Sequence, residues 1–225
     1  MTFWKIIKWV FITIVIGILL FIGYWFFIFY SSGLLDSSSK QELIDNYNKN
    51  ESEILDLKSY FNSIVPKDCS VYIEFKSRRK IDLWVYETEK KNSAGGNVVL
   101  FQQWNINPFN YNEQPKTHYD STEYSPKTKS LELVKLKLKW TDDTFKNIKT
   151  MLDKANCISV SSGEPTEVGF ARSGMGKYSY AIFSNPIADN LKSNYNDSCT
   201  YILYSDKVAL EYGGGAIGSQ CFPDK

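Results

Sequence analysis

One stretch constrains this chain before anything else in it. Val10 to Tyr30, VFITIVIGILLFIGYWFFIFY, holds no Lys, Arg, Asp, Glu, His, Asn, Gln or Pro. At about 1.5 Å of rise per helical residue such a run covers roughly 30 Å, the thickness of a bilayer's hydrocarbon core. The expectation is a single transmembrane helix over 10–30, retained as a signal-anchor, with residues 1–9 on one side and everything else on the other. Lys5 and Lys8 precede it with no acid beside them, whereas SSGLLDSSSKQELID after it mixes signs. The positive-inside rule then sets the N-terminus in the cytoplasm and the larger part outside it, periplasmic or extracellular. Trp4 and Trp9 at one end and Tyr24, Trp25 and Tyr30 at the other fit aromatic belts at the two interfaces. A cleaved signal peptide is the competing reading, with Ser31-Ser32-Gly33 at the cut. Its apolar region would exceed the usual ~7–15 residues and carry bulky aromatics up to the site.

The formal net charge is +1 over 225 residues. That balance argues against a nucleic-acid partner, which needs a basic face to displace counterions, and against a polybasic lipid-surface module. A hydrophobic content of 43% with 16% aromatic residues calls for a packed core beyond the span. Cys69, Cys157, Cys199 and Cys221 all lie after the span. In an oxidising compartment an even set suggests two disulfides, with three connectivities open. Cys199 with Cys221 is the most local pairing, stabilising by about 3 kcal/mol in the chain-entropy model; Cys69 with Cys157 would be the remainder.

Along the chain, Ser39-x-x-Glu42 is a capping box, and Leu43, Tyr47, Ile54, Leu57, Phe61 and Ile64 recur at helical spacing up to Pro66. Residues 31–66 therefore read as a juxtamembrane stalk and amphipathic helix, the polar NYNKNESE turns being solvated. Residues 67–225 form the extracytoplasmic domain. There the period turns to two: Val71, Ile73 and Phe75, then Ile81, Leu83 and Val85, alternate with polar and aromatic residues in a hairpin. Val98 to Trp104 gives a third strand and Leu131 to Trp140 a fourth, with Lys135, Lys137 and Lys139 on its solvent side. Asp142 and Asp143 open a helix carrying Phe145, Ile148 and Leu152. Two further hairpins, 168–183 and 201–212, flank a short helix within 186–195. Helices followed by hairpins favour an α+β fold with a mainly antiparallel sheet. A faint repeat, Leu57–Phe61 leading to Cys69 and Ile148–Leu152 leading to Cys157, suggests two similar α+β halves.

No motif carries a reaction. Gly213 to Gly218 formally satisfies G-x-G-x-x-G, but too little chain follows for a dinucleotide fold, and a tight strap leading to Cys221 explains it better. Arg172 to Lys177 lacks P-loop spacing. His118 stands in a long loop, 105–130, without the companions of a hydrolase site, and the cysteines lack a close C-x-x-C pair. No catalytic, cofactor or metal residues are assigned, and no cofactor is implied. The expected function is a single-pass, membrane-anchored, non-catalytic interaction module of the cell envelope, meeting the lipid bilayer through its span and another envelope protein through its domain. Phe109, Tyr111, His118, Tyr119, Arg172, Met175 and Lys177 are the candidate contact residues. A toxin-neutralising immunity-type protein is one specific form of that reading, and an anchored hydrolase using His118 is the alternative class.

Overall fold

A computed structural model describes residues 3–31, 38–91, 95–111, 130–173, 176–214 and 218–223. The first element is helix α1, Phe3–Ser31. Its described side chains are Trp4, Trp9 and those of 11–27, and apolar members such as Ile14, Leu20 and Phe26 are exposed. Among the residues whose side chains are described, no helix is long and apolar enough to cross a membrane.

Helix α2, Lys40–Ile64, starts at the capping box: Ser39 Oγ accepts from the Glu42 amide at 3.2 Å, and Glu42 Oε2 accepts from the Ser39 amide at 3.0 Å. Strands β1 (Cys69–Phe75), β2 (Ile81–Lys91) and β3 (Asn97–Ile106) follow. Helices α3 (Leu131–Leu138) and α4 (Asp142–Lys154) come next, then β4 (Ser159–Ser161), β5 (Thr166–Ser173) and β6 (Gly176–Ile182). Helix α5 (Asp189–Lys192) with a 3-10 turn at Ser193–Tyr195 leads to β7 (Tyr201–Ser205) and β8 (Val208–Gly213). The fold is α+β, with one antiparallel eight-stranded sheet in the order β3-β2-β1-β4-β5-β6-β8-β7.

That order contains the faint repeat. Helix α2 delivers Cys69 into β1-β2-β3 and α4 delivers Cys157 towards β4-β5-β6, and the two units meet back to back where β1 pairs with β4. The strands are thus related by an approximate two-fold between β1 and β4, with β8 and β7 added to the second half. Helices α2 and α4 pack together over one sheet face. Leu57, Phe61, Ile148 and Leu152 meet Val71, Ile73, Val85, Val160 and Val168 there, all fully buried. Burying a side chain of this size stabilises by about 1.5–3 kcal/mol, so this one-sided layer is where the fold gains its stability.

Three expectations are corrected. Leu131 to Trp140 is not a strand: LELVKLKL also fits a helical period, and α3 buries Leu131, Val134 and Leu138 while leaving Leu136 exposed. Lys139 in the left-handed region ends it, and Trp140 turns inward to donate its indole N–H to the Ile64 carbonyl at 3.0 Å. The polar early turns of α2 are not a solvated stalk, because Asn46 is buried. Its amide donates to the Ala155 carbonyl at 3.2 Å and to Tyr180 Oη at 3.0 Å. Its oxygen accepts from Asn50 at 2.8 Å and Asn156 at 2.9 Å, so both donors and both lone pairs are used. Finally, only Cys199 and Cys221 are bonded; Cys69 and Cys157 are free, buried thiols on different halves of the sheet. Each thiol has its own neighbours: Cys69 Sγ meets Asp68, and Cys157 Sγ lies against the Ala155 carbonyl and the Asn46 amide of α2. Burial pushes Cys157 up to about 12, and burial together with Asp68 pushes Cys69 up to about 11, so neither is a thiolate at neutral pH.

Thiol titration checks this arrangement. Two free thiols are expected per chain, slow to react in the folded state and released on denaturation, whereas Cys199→Ser with Cys221→Ser should cost about 3 kcal/mol in urea unfolding.

Candidate functional site

The strands alternate, so the sheet has a second face, which α2 and α4 leave uncovered; at its β7 edge Tyr195 packs edge-on against Tyr201. In β1 and β2 the phase that points away from α2 and α4 carries Tyr72, Glu74, Asp82, Trp84 and Tyr86. The register sets Trp84 between Tyr72 and Gln102, and Glu74 between Asp82 and Ser159. On the far side Glu167, Lys177, Ser179 and Glu211 complete the same face. Together they line an open cleft of about 750 Å³ that crosses the strands and ends at Gly213 and Gly214.

Its aromatic half runs over three strands. The rings of Tyr72 and Trp84 lie 4.7 Å apart with a tilt of 34°, and Trp104 meets Trp84 edge-on at 6.1 Å. Trp104 is 56% exposed. The Trp84 indole N–H is buried with no hydrogen-bond acceptor among the described residues.

The charged half is built on ion pairs of Arg172, Lys76 and Lys177. Glu74 is almost fully buried and is held by Arg172 through Nε at 2.7 Å and a second nitrogen at 2.8 Å, with Lys76 and the Tyr72 hydroxyl also bonded to it. Burial alone would raise this carboxyl, but the hydrogen bonds from Arg172, Lys76 and Tyr72 outweigh it and hold Glu74 down at about 2. Lys76 also reaches Asp82 at 3.3 Å, and Asp82 accepts the Asn105 amide at 2.9 Å. Across the cleft Lys177 Nζ pairs with Glu167 at 2.9 Å and lies 5.0 Å from the centre of the Tyr72 ring. Gly169 makes this possible. A Cβ there would stand 2.1 Å from Ser159 Oγ and 3.0 Å from Lys177 Cδ, so any side chain would displace the lysine stem from its course over the sheet.

Glu211 lies next in the row and accepts from Tyr201 Oη at 3.0 Å. Burial, then repulsion from Glu167, pushes its carboxyl up to about 7. Beside it the glycine strap closes back on itself: Gly213 pairs with Ser219, and Gly214 N donates to the Gly218 carbonyl at 2.8 Å. Gly213 has φ +129° and no room for a Cβ, which would stand 2.7 Å from the Gln220 amide.

The structure thus brings Arg172, Lys177 and Gly213 into one cleft and separates Phe109 and Tyr111 from it. Those two rings pack edge-on against Phe145 and Phe101, at the helix-covered side. Phe109 also borders another cleft beside Arg78, Arg79 and Lys146, where Lys146 is paired with Asp143 at 2.8 Å. His118, Tyr119 and Met175 lie outside the described residues. Among the described residues no group of three or more His, Cys, Asp or Glu side chains is placed to hold a metal ion. Sequence reasoning did not single out Tyr72, Trp84, Gln102, Trp104, Glu167 or Glu211. A signal was present in part, because large aromatics on the polar phase of two paired strands have no core to enter.

Two outcomes follow. Arg172→Ala leaves a buried Glu74 carboxylate held only by Lys76 and Tyr72, and should cost about 2 kcal/mol in chemical denaturation, less than a fully buried pair because Arg172 is itself partly exposed. For Glu211 the folded pKa lies above the ordinary 4.5, so the folded state binds the extra proton. Its stabilising contribution is complete below about 4.5 and lost as the pH rises through about 7. Glu211→Gln should therefore flatten the fall in thermal stability between those values.

Comparison of the chain with protein-family models, with curated proteins and with solved structures gives no match, and the chemistry of this face is read from its own residues.

Proposed function

We propose that this chain is a single-pass membrane protein whose domain stands outside the cytoplasm and acts by binding, through the uncovered face of its sheet. The observation that carries the binding role is the one-sided sheet. An exposed sheet face is ordinarily polar, yet this one gathers Tyr72, Trp84 and Trp104 in contact, beside charges that are already paired. Contiguous aromatic surface rimmed by polar groups is what a recognition site requires.

Support for the anchor comes from α1, Phe3–Ser31. Its 29 residues extend about 43 Å as a helix, and its described apolar side chains face outward with no core to cover them. Val10 to Tyr30 carries no charge. The bond between Cys199 and Cys221 favours an oxidising compartment, and the two lysines before the span favour a cytoplasmic N-terminus. An immunity-type role, in which an incoming protein is captured at the membrane, is a specific form of this reading.

An anchored hydrolase is the second reading, and one observation favours it. Glu211, raised to about 7 by burial and then by the nearby Glu167 charge, is a carboxyl that can take up or give a proton near neutral pH, as a general acid or base must. Glu211→Gln discriminates between the two: loss of the biological phenotype with ligand capture intact would favour the hydrolase.

The binding reading is tested in cells by placing a photo-crosslinking amino acid at position 104, on the cleft, and at position 136, on the exposed side of α3. A discrete adduct from position 104 alone is expected, together with protease access to a C-terminal tag from outside the plasma membrane. Equal labelling from both positions, or a tag protected until the cells are lysed, would overturn the proposal.

A further inference from the structure

Resting on that reading of the face, we infer that the cleft binds a neutral, hydroxyl-rich saccharide chain, laid along Trp104 and Trp84 and held at its edges by Gln102 and Glu211.

The charge pattern narrows the ligand first. Among the described residues every cation at the cleft is committed: Arg172 to Glu74, Lys76 to Glu74 and Asp82, and Lys177 to Glu167. A phosphate or nucleic-acid backbone would have to break one of these pairs and strand a buried carboxylate, which is costly. A cationic ligand fares no better. Glu74, Asp82 and Glu167 already face protein cations, and Glu211 is largely protonated at mildly acidic pH. At mildly acidic pH, then, the described residues of the cleft offer polarity without unbalanced charge.

The aromatic strip narrows it further. Trp104, at 56% exposed, and Trp84, edge-on to it at 6.1 Å, give two ring surfaces at an angle, with Tyr72 continuing the strip. The face of an aromatic ring carries negative quadrupole density and attracts polarised C–H groups. A pyranose presents such a C–H face on one side and hydroxyls around its rim. It can therefore stack on Trp104 while its rim reaches planar hydrogen-bonding groups. The Gln102 amide both donates and accepts, and Glu211 with the Tyr201 hydroxyl forms a donor-acceptor pair; a ring hydroxyl that gives and takes one bond suits both.

Shape agrees. The cleft is open and of about 750 Å³, within the usual range for a small-ligand site, and it crosses the strands instead of ending in a blind apolar pocket. An extended peptide would gain most of its affinity from strand edges, and the edges of this sheet are β3 and β7, at either end of the face.

The test uses the full-length protein in a zwitterionic detergent free of sugar, titrated with cellohexaose, chitohexaose and maltohexaose and followed by tryptophan fluorescence. A saturable change with at least one of them is expected, unaltered between about 0.05 and 0.5 M salt because the ligand is uncharged. Trp104→Ala should weaken binding about tenfold, equivalent to about 1.4 kcal/mol, with an unchanged melting curve, since Trp104 is half exposed. Gln102→Ala should weaken it several-fold. No saturable change up to about 10 mM of any of the three sugars, or binding that survives Trp104→Ala, overturns the inference. If the sugars fail while position 104 crosslinks a discrete protein, the saccharide class falls and the binding face stands. If position 104 captures nothing as well, both fall.

Discussion

The fold depends on a short seam. Tyr72, Ile73 and Glu74 of β1 pair with Ser161, Val160 and Ser159 of β4, and hydrogen bonds from the Phe75 amide to Ile158 and from the Ser162 amide to Val71 extend the ladder by one step at each end. Without that seam there would be a three-stranded and a five-stranded unit, each with a helix, and each burying less apolar surface than the joined sheet. With it, Ile73 and Val160 become neighbours at the centre of one continuous core, and α2 and α4 can lie side by side across the junction.

The helix layer reinforces the junction from above. Asn46 of α2 bonds to Ala155 at the end of α4, to Asn156 beyond it and to Tyr180 of β6, and Tyr180 returns a hydrogen bond to the Leu43 carbonyl at 2.8 Å. A buried amide with every donor and acceptor filled adds specificity of register that apolar contacts alone do not give, because a shift of one residue would strand several polar groups at once. On the opposite face the Glu74–Arg172 pair ties β1 to β5 across the short β4 strand. The seam is thus clasped on both sides, by a neutral network above and an ionic one below.

That ionic clasp also shapes the cleft. With Arg172 drawn to Glu74 and Lys177 laid over Gly169 towards Glu167 and Tyr72, the cations are pulled down onto the sheet. Trp104 is left standing at the β3 side and Glu211 at the β8 side, with polar groups between. The described cations of this face are thus neutralised within it, while burial and the Glu167 charge raise the Glu211 carboxyl to about 7.

Much of this architecture was legible in residue order alone. Val10 to Tyr30 demanded an apolar helix, the Ser39–Glu42 box fixed the start of α2, period-two alternation gave β1 and β2, and the nearness of Cys199 to Cys221 pointed to their bond. These are local properties, set by helix rise, capping geometry, strand pleat and loop closure. Tertiary structure decided the rest. LELVKLKL satisfies both periods, and only the pocket receiving Leu131, Val134 and Leu138 selects the helix. Asn46 reads as solvated until α4 ends against it. Cys69 and Cys157 look like a pair until the fold gives them separate neighbours, Asp68 for one and Asn46 with Ala155 for the other. Arg172 and Lys177 could be suspected as cations in a turn, but their anionic partners lie 98 and 10 residues away in sequence, and the cleft they share with Trp84 and Trp104 exists only where sheet register brings distant strands side by side. A site assembled from alternate residues of many strands leaves no contiguous motif, and its chemistry emerges only once the chain has paired with itself.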